Sequence, residues 1–200
     1  MTKQDLNGLV LIGGKSSRMG EDKAFLRYRD RPQWQFCYEL LELFCKDVFV
    51  SKRKEQELSW LRSDYFQAID DVVEGAGPLG GILSAFQFDL QRSWLVVACD
   101  LPYLEIETIK VLVESRNVQQ MATAYRSAYD SLPEPLCAIY EPKIYPYLKG
   151  SFDRHVYCPR KILMQLPVHL IDVKSKEWLD NINTPEERRK AQQCSPRSSI

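Results

Sequence analysis

Short runs of apolar residues alternate along the chain with stretches in which apolar residues recur at helical spacing. The runs over residues 9–12 and 94–98 are continuous, which is typical of strands covered on both faces. Further strands are predicted at residues 48–50, 66–69, 121–125, 135–140 and 168–173, and helices at residues 33–44, after Pro78 and at residues 105–116. Strands separated by helices predict an α/β fold with a mainly parallel sheet covered on two sides.

The amino-acid composition argues against a disordered chain and against a protein that coats nucleic acid. The 200 residues are 44% hydrophobic, enough for a sizeable core, and 27 Lys and Arg against 27 Asp and Glu give zero formal net charge. The core argues against a disordered chain, and the charge balance argues against a protein that coats nucleic acid, because such proteins carry a basic excess. We expect one domain over residues 1–192 and a disordered polar tail over residues 193–200.

Neither the apolar runs nor the first residues indicate a membrane or secreted protein. No run approaches the ~18 residues of a membrane span, and the N-terminus lacks a signal-peptide pattern. The six cysteines include no CxxC pair and only two histidines accompany them, so their spacing does not favour a zinc site. We therefore expect a cytoplasmic protein with reduced thiols and with no membrane or nucleic-acid partner.

The loop after the first predicted strand combines two glycines with two cations. Gly13 and Gly14 let a ligand approach the backbone closely, and Arg18 and Lys23 suit a polyphosphate. A P-loop is excluded, because its first glycine would fall at Leu9. A plain glycine turn is the alternative, and the two cations make it the less favoured one.

Acidic residues follow two other predicted strands. Asp100 comes directly after the apolar run at residues 95–99 and just before Pro102, a position suited to a Mg²⁺ ligand; an N-cap for the next helix is the alternative. Asp70 and Asp71 precede a glycine-rich turn, where one of them contacts a nucleoside or both belong to a solvated turn. Ligands of such sheets bind beyond the carboxyl ends of the strands, so these loops are the candidate site.

Several motifs occur together in a characteristic order over roughly residues 8–190. They are LIGGKSSRMGEDKA at residues 11–24, Asp71, GPLGGI at residues 77–82, CDLP at residues 99–102, EPLCAIY at residues 134–140 and NINTPEE at residues 181–187. In this order they resemble the molybdenum cofactor guanylyltransferase family, a group of nucleotidyltransferases. The resemblance implies a three-layer Rossmann-like nucleotidyltransferase fold with a mainly parallel central sheet.

The resemblance also implies an enzyme that transfers GMP from GTP to the phosphate of molybdenum-bound molybdopterin and releases pyrophosphate, with Mg²⁺ as its cofactor. Proteins of molybdenum cofactor biosynthesis, or molybdoenzymes, are the implied protein partners. The implied site residues are Leu11, Ile12, Gly13, Gly14, Lys23, Asp71 and Asp100 for the nucleotide, Arg18, Lys23 and Asp100 for catalysis, Asp100 for the metal, and Asn181 and Asn183 for the acceptor.

Two features of the matched region bear on the substrates. Residues 11–14 follow the LxGG pattern of guanylyl-specific members, which favours GTP over the CTP of relatives with AAG, although Ile12 replaces the usual alanine and is expected to add bulk near the base pocket. Residues 153–161 match no family motif, and their basic side chains either meet the pterin phosphate or form a solvated surface. These side chains belong to Arg154, Arg160 and Lys161.

Two other functions stay open at this point. A related nucleotidyltransferase would use CTP or UTP with molybdopterin or a sugar phosphate, and nucleotide preference distinguishes it. A nucleotide-binding regulator would keep the fold without catalysis. The presence of Arg18, Lys23 and Asp100 argues against the regulator, because binding without catalysis does not require the two cations and the acid together.

Overall fold

The computed structural model describes residues 5–12, 27, 31–54, 65–73 and 75–181, and within them seven strands form one sheet. The strands are β1 (Leu6–Leu11), β2 (Val48–Arg53), β3 (Gln67–Asp71), β4 (Ser93–Ala98), β5 (Ala122–Arg126), β6 (Pro133–Tyr140) and β7 (Val168–Asp172). The helices are α1 (Gln33–Glu42), α2 (Pro78–Phe88), α3 (Ile106–Glu114), α4 (Tyr145–Asp153) and α5 (Pro159–Leu163), with short 3₁₀ segments at Pro142–Ile144 and Lys176–Leu179. The strands and the three helices predicted from the apolar pattern are all present.

The strand order places a reversal in the middle of the sheet. The order is β3-β2-β1-β4-β6-β5-β7, and neighbouring strands are parallel except where β6 is involved, so the predicted mainly parallel sheet is confirmed. The chain runs outward from β1 to β2 and β3, then returns to β4 on the other side of β1. Such a switch point is where α/β sheets bind ligands, beyond the carboxyl ends of the strands.

Helices cover both faces of the sheet, because successive strand residues point to opposite sides and both sides are apolar. In β4, Leu95 and Val97 face a core shared with α1 and α3, whereas Trp94 and Val96 face a core shared with α2, α4 and α5. Three layers result. None of the described helices combines the length and apolarity that crossing a membrane requires.

Helix α2 begins very close to the sheet because its first turn contains two glycines. A Cβ atom at Gly81 would overlap Oγ of Ser51 in β2 and lie 2.7 Å from Cδ2 of Leu11 in β1. At Gly80, a Cβ atom would lie 2.7 Å from the backbone oxygen of Val73. The glycines therefore let the start of α2 lie directly against the carboxyl ends of β1 and β2.

Gly81→Ala is expected to destabilise the protein by about 1–3 kcal/mol, because the added methyl group overlaps Ser51 and displaces α2. Gly150→Ala in α4 is the matched control. A Cβ atom there lies 3.6 Å from a guanidinium nitrogen of Arg154, an ordinary contact, so this change should be neutral or stabilising by up to about 1 kcal/mol. Urea denaturation measures both. Equal free energies of unfolding for the two variants would contradict the close packing of α2.

Candidate active site

The ends of β1 and β4 meet at the switch point. The last paired residues of the two strands are Leu11 and Ala98. One residue further, the Cys99 N–H donates a hydrogen bond to the Leu11 carbonyl oxygen at 3.2 Å, so the pairing continues to the edge of the sheet. Asp100 therefore follows at this end of the sheet, one residue after Cys99.

Asp100 lies partly buried after β4 and is not the cap of α3. The residue is partly buried, and its Oδ1 atom is shielded from solvent. The cap of α3 is Glu105, which forms a capping box with Thr108, so the N-cap interpretation of Asp100 is wrong. Mg²⁺ in phosphate-transfer sites typically uses one or two carboxylates and completes its shell with phosphate oxygens and water. A single carboxylate at this edge fits that pattern, and the described part of the chain contains no group of three or more His, Cys, Asp or Glu side chains that could hold a metal.

A buried glutamine fixes the loop that carries Asp100. Gln33, the first residue of α1, is 1% exposed, and its Nε2 atom donates a hydrogen bond to the Leu101 carbonyl oxygen at 2.7 Å. This bond ties the loop after β4 to the helix that precedes β2. Gln33 is not predictable from the sequence, because a glutamine at the start of a helix is ordinarily solvated and its partner lies 68 residues away.

The structure distinguishes the two aspartates at the end of β3. Asp71 is half-buried and accepts a hydrogen bond at 2.5 Å from Oγ of Ser51, whose own backbone pairs with Leu11. Asp70 is exposed and forms an ion pair with Lys52. The solvated-turn interpretation therefore describes Asp70, whereas the side chain of Asp71 is directed toward β2 by its hydrogen bond with Ser51.

Burial makes the carboxyl of Asp71 a weaker acid than an ordinary aspartate. Desolvation raises the pKa of its carboxyl from the ordinary 3.8 to about 6, and the neighbouring charge of Asp70 adds to the rise. The Ser51 hydroxyl and the cations of Arg53 and Lys52 act in the opposite direction. Carboxyls that titrate this close to neutral pH are concentrated at functional sites.

The side chains of Leu11 and Ile12 belong to the core rather than to an open pocket. Their exposed fractions are 8% and 1%, and they lie in apolar clusters on opposite faces of the sheet. The Ile12 N–H donates a hydrogen bond to the Ser51 carbonyl oxygen at 3.4 Å. The bulk of Ile12 is thus accommodated in the core beside α1 and α3 rather than in a pocket.

A cavity of about 320 Å³ opens between the loop after β4 and the start of β6. Leu101 lines it on one side, and Pro78 at the start of α2 lines it on another. Asn181, which was predicted to lie near the acceptor, is exposed and also lines this cavity. The Tyr129 hydroxyl donates a hydrogen bond at 2.7 Å to Oδ1 of Asp180, which holds this last segment against the β5–β6 connection. The cavity thus brings Asn181 to the loop that carries Asp100.

The basic residues around α5 have different environments. Arg160 donates hydrogen bonds to Oδ2 of Asp130 at 3.0 Å and to Oε2 of Glu134 at 2.6 Å. Two carboxylates therefore already compensate its charge, and the suggestion that Arg160 meets a phosphate does not fit this arrangement. Arg154 and Lys161 are exposed, as expected for a solvated basic surface.

Several predicted site residues lie outside the residues that the structure describes, and their roles stay predictions. These are Gly13, Gly14, Arg18, Lys23 and Asn183, together with the tail at residues 193–200. Among the others, the structure brings Leu11, Ile12 and Asp100 to the switch point. It places Asp71 two strands away in β3 and Asn181 at the cavity beside Leu101.

Comparison with known proteins identifies the family. Residues 8–169 match the MobA-like NTP transferase domain. The chain belongs to this family. The predicted resemblance to molybdenum cofactor guanylyltransferases is therefore confirmed, and so is the prediction of an enzyme of the nucleotidyltransferase class.

Individual relatives of this MobA-like protein agree with the family. A molybdenum cofactor biosynthesis bifunctional protein of Synechocystis sp. is 35% identical over 189 residues, which cover 94% of this chain and 54% of the relative, so the chain spans about half of its length. A probable molybdenum cofactor guanylyltransferase of Flavobacterium johnsoniae is 26% identical, with 92% and 95% covered. The solved structure of molybdopterin-guanine dinucleotide biosynthesis protein A from Archaeoglobus fulgidus has a TM-score of 0.77 at 25% identity, with 94% and 97% covered. The three-layer nucleotidyltransferase fold is thus confirmed.

Asp71→Asn is expected to stabilise this MobA-like protein increasingly as the pH rises. The folded carboxyl has a pKa of about 6, above the ordinary 3.8 of the unfolded chain, so the unfolded chain ionises first and wild-type stability falls between about pH 4 and 6. The amide removes that loss. Thermal unfolding at pH 4.5, 6 and 7.5 measures the difference between the two proteins.

The matched control for this prediction is Asp70→Asn, which removes an exposed carboxylate paired with Lys52. It relieves only the smaller, coulombic contribution to the raised pKa of Asp71, so its gain in stability at pH 7.5 is expected to be smaller than that of Asp71→Asn. A gain from Asp71→Asn of the same size at pH 4.5 and 7.5 would contradict the role of buried charge.

Proposed function

We propose that this MobA-like protein transfers GMP from GTP to the phosphate of molybdenum-bound molybdopterin and releases pyrophosphate. The observation that carries the proposal is the position of Asp100, which follows β4 at the switch point between β1 and β4 and precedes Leu101, a residue that lines the cavity. Relatives named as probable molybdenum cofactor guanylyltransferases, matched over more than nine-tenths of this chain, support the choice of substrates.

The reaction requires little covalent chemistry from the protein. The acceptor phosphate monoester is already anionic near neutral pH, so it attacks the α-phosphorus of GTP in line without a general base, and pyrophosphate leaves. The protein positions the reacting groups and neutralises their charge, as in phosphoryl transfer generally.

Residues that follow β4 and residues that follow β1 have different roles in the proposed reaction. Asp100 would hold Mg²⁺, which would supply positive charge to offset the negative charge of the reacting phosphates. Gln33 keeps the Asp100 loop in place through its hydrogen bond to the Leu101 carbonyl oxygen. Arg18 and Lys23, in the glycine-rich segment after β1, stabilise the pyrophosphate as negative charge accumulates on it.

GTP is the proposed donor because residues 11–14 have the LxGG pattern. Asp71 contacts the nucleoside in this proposal. An ionised carboxylate only accepts hydrogen bonds, and both the ribose hydroxyls and the guanine edge offer donors to it. Ser51 supports this role, because its hydroxyl holds one oxygen of Asp71 at the sheet edge.

The acceptor is proposed to lie on the other side of the switch point. Asn181 lines the cavity there, and Asn183 follows two residues later in the chain.

We propose a cytoplasmic enzyme, whose product would be received by proteins of molybdenum cofactor biosynthesis or by molybdoenzymes.

Calorimetric titration with GTP, CTP, UTP and ATP in the presence of Mg²⁺ tests the donor and the metal ligand. The wild type is expected to prefer GTP, and Asp100→Asn should lose the Mg²⁺-dependent part of the binding, because a neutral amide replaces the charged ligand. Asp89→Asn is the control, since Asp89 precedes β4 and therefore lies toward the amino-terminal end of that strand, whereas Asp100 follows its carboxyl end. Preference for CTP or UTP would move the function to a related nucleotidyltransferase, and Mg²⁺-dependent GTP binding by Asp100→Asn would contradict the metal role.

Lys23→Ala is expected to lower the turnover of guanylyl transfer by about 10²–10³-fold, the effect typical of losing one preorganised contact to developing charge. Pyrophosphate release with molybdopterin as acceptor measures the rate. The control is Lys143→Ala, because Lys143 is exposed and its ammonium donates to the Val118 carbonyl oxygen near the opposite end of β6. Wild-type turnover in Lys23→Ala would refute the assignment.

A further inference from the structure

The cavity beside Leu101 carries an acid that the proposed function does not use. Strand β6 runs antiparallel to β4, with Val97 opposite Cys137. The start of β6 therefore lies toward the end of the sheet where β4 ends, and the cavity there is lined by Leu101 from the loop after β4. Glu134 lines the cavity.

The lining of the cavity suits the apolar faces of a ring system. Its apolar walls are Pro78, Leu101, Pro135, Leu136 and Leu179. Ligand pockets usually measure about 300–1,000 Å³, so a cavity of about 320 Å³ is large enough for one fused ring system.

Glu134 gives the cavity acceptors for hydrogen-bond donors. Arg160 is shared between Glu134 and Asp130, and two carboxylates against one guanidinium leave one negative charge. Asp130 is exposed on the β5–β6 connection and is not among the described residues that line the cavity. Arg160 also lines the cavity, but its guanidinium is engaged by the two carboxylates, and the Glu134 carboxylate has further lone pairs beyond those that Arg160 engages at Oε2.

We propose that Glu134 recognises the pterin ring of the acceptor by accepting hydrogen bonds from its N3–H and 2-amino groups. These adjacent donors on a 2-amino-4-oxopteridine match the paired acceptor geometry of a carboxylate. The inference rests on the proposed function, because that function makes the acceptor a pterin. Glu134 thus selects the ring, and the phosphate of the acceptor extends toward Asp100.

The guanine base of GTP carries the same pair of donors, but its position differs. Asp71 ends β3, and β6 is four positions away in the strand order, roughly 19 Å at the usual spacing between strands. A nucleoside at Asp71 therefore leaves the Glu134 cavity to the acceptor.

Fluorescence titration of the full chain with two pteridines tests the proposal. The probes are 6-hydroxymethylpterin and 6-hydroxymethyllumazine, which has an oxygen in place of the 2-amino group. The wild type is expected to bind the pterin at least tenfold more tightly than the lumazine. Glu134→Gln should weaken pterin binding by about 10–100-fold, the usual effect of losing charge-assisted hydrogen bonds, and leave lumazine binding within about threefold.

The matched control is Asp130→Asn, which removes a carboxylate from the same Arg160 without touching the cavity. It is expected to change pterin binding by less than about threefold. All three proteins should bind GTP with Mg²⁺ equally well, and thermal unfolding checks that each is folded. The comparison of the two probes on the wild type needs no variant and tests the selectivity by itself.

Three results would overturn the role of Glu134: no selective pterin binding by the wild type, equal losses in Glu134→Gln and Asp130→Asn, or competition between GTP and the pterin for the Glu134-dependent site. With Mg²⁺-dependent GTP binding intact, each of these leaves the proposed function standing. Failure of the wild type to bind GTP would instead overturn the proposed function, and the inference with it.

Discussion

The parallel pairing of β1 with β4 is the constraint on which the rest of the structure depends. Both strands are buried on both faces, so polarity cannot set their register, and packing must do so. Gly8 sits opposite Leu95, and a Cβ atom there would lie 3.1–3.2 Å from Leu41 and Val48. A shift by one residue would put a larger side chain into that space. The fit at Gly8 thus helps to fix which residues leave the sheet beside each other at the switch point.

The close packing of α2 on β2 leaves the Asp71 carboxyl half-buried, which makes its ionisation energetically unfavourable. Gly81 leaves room for Ser51, and Ser51 holds Asp71 in a half-buried position where ionisation is disfavoured. A fold selected for stability alone would replace that carboxylate with a neutral group. Retaining an acceptor at the sheet edge at the expense of stability is the trade-off expected of a binding site.

The apolar pattern predicted the strands because their burial is continuous and local in sequence. The direction of β6 was not predictable in this way, since a buried strand has the same pattern in either direction. Buried polar side chains were missed for a related reason. Gln33 and Glu141 are buried by bonds to Leu101 and to Arg116, 68 and 25 residues away, and no local pattern indicates such partners. The choice between Asp70 and Asp71 likewise needed the position of Ser51.

Charge explains why the two sides of the switch point need different residues. Asp100 and Glu134 place carboxylates along the edge formed by β4 and β6, and Arg160 is already compensated by two acids. Bringing a polyphosphate to such an edge is repulsive, and the repulsion grows where water is excluded. The described side of the cavity therefore suits a neutral ring with donor groups, and the phosphates require cations from elsewhere. Two such cations, Arg18 and Lys23, follow β1 in the sequence. A metal bound at Asp100 would add positive charge between the nucleotide and the acceptor.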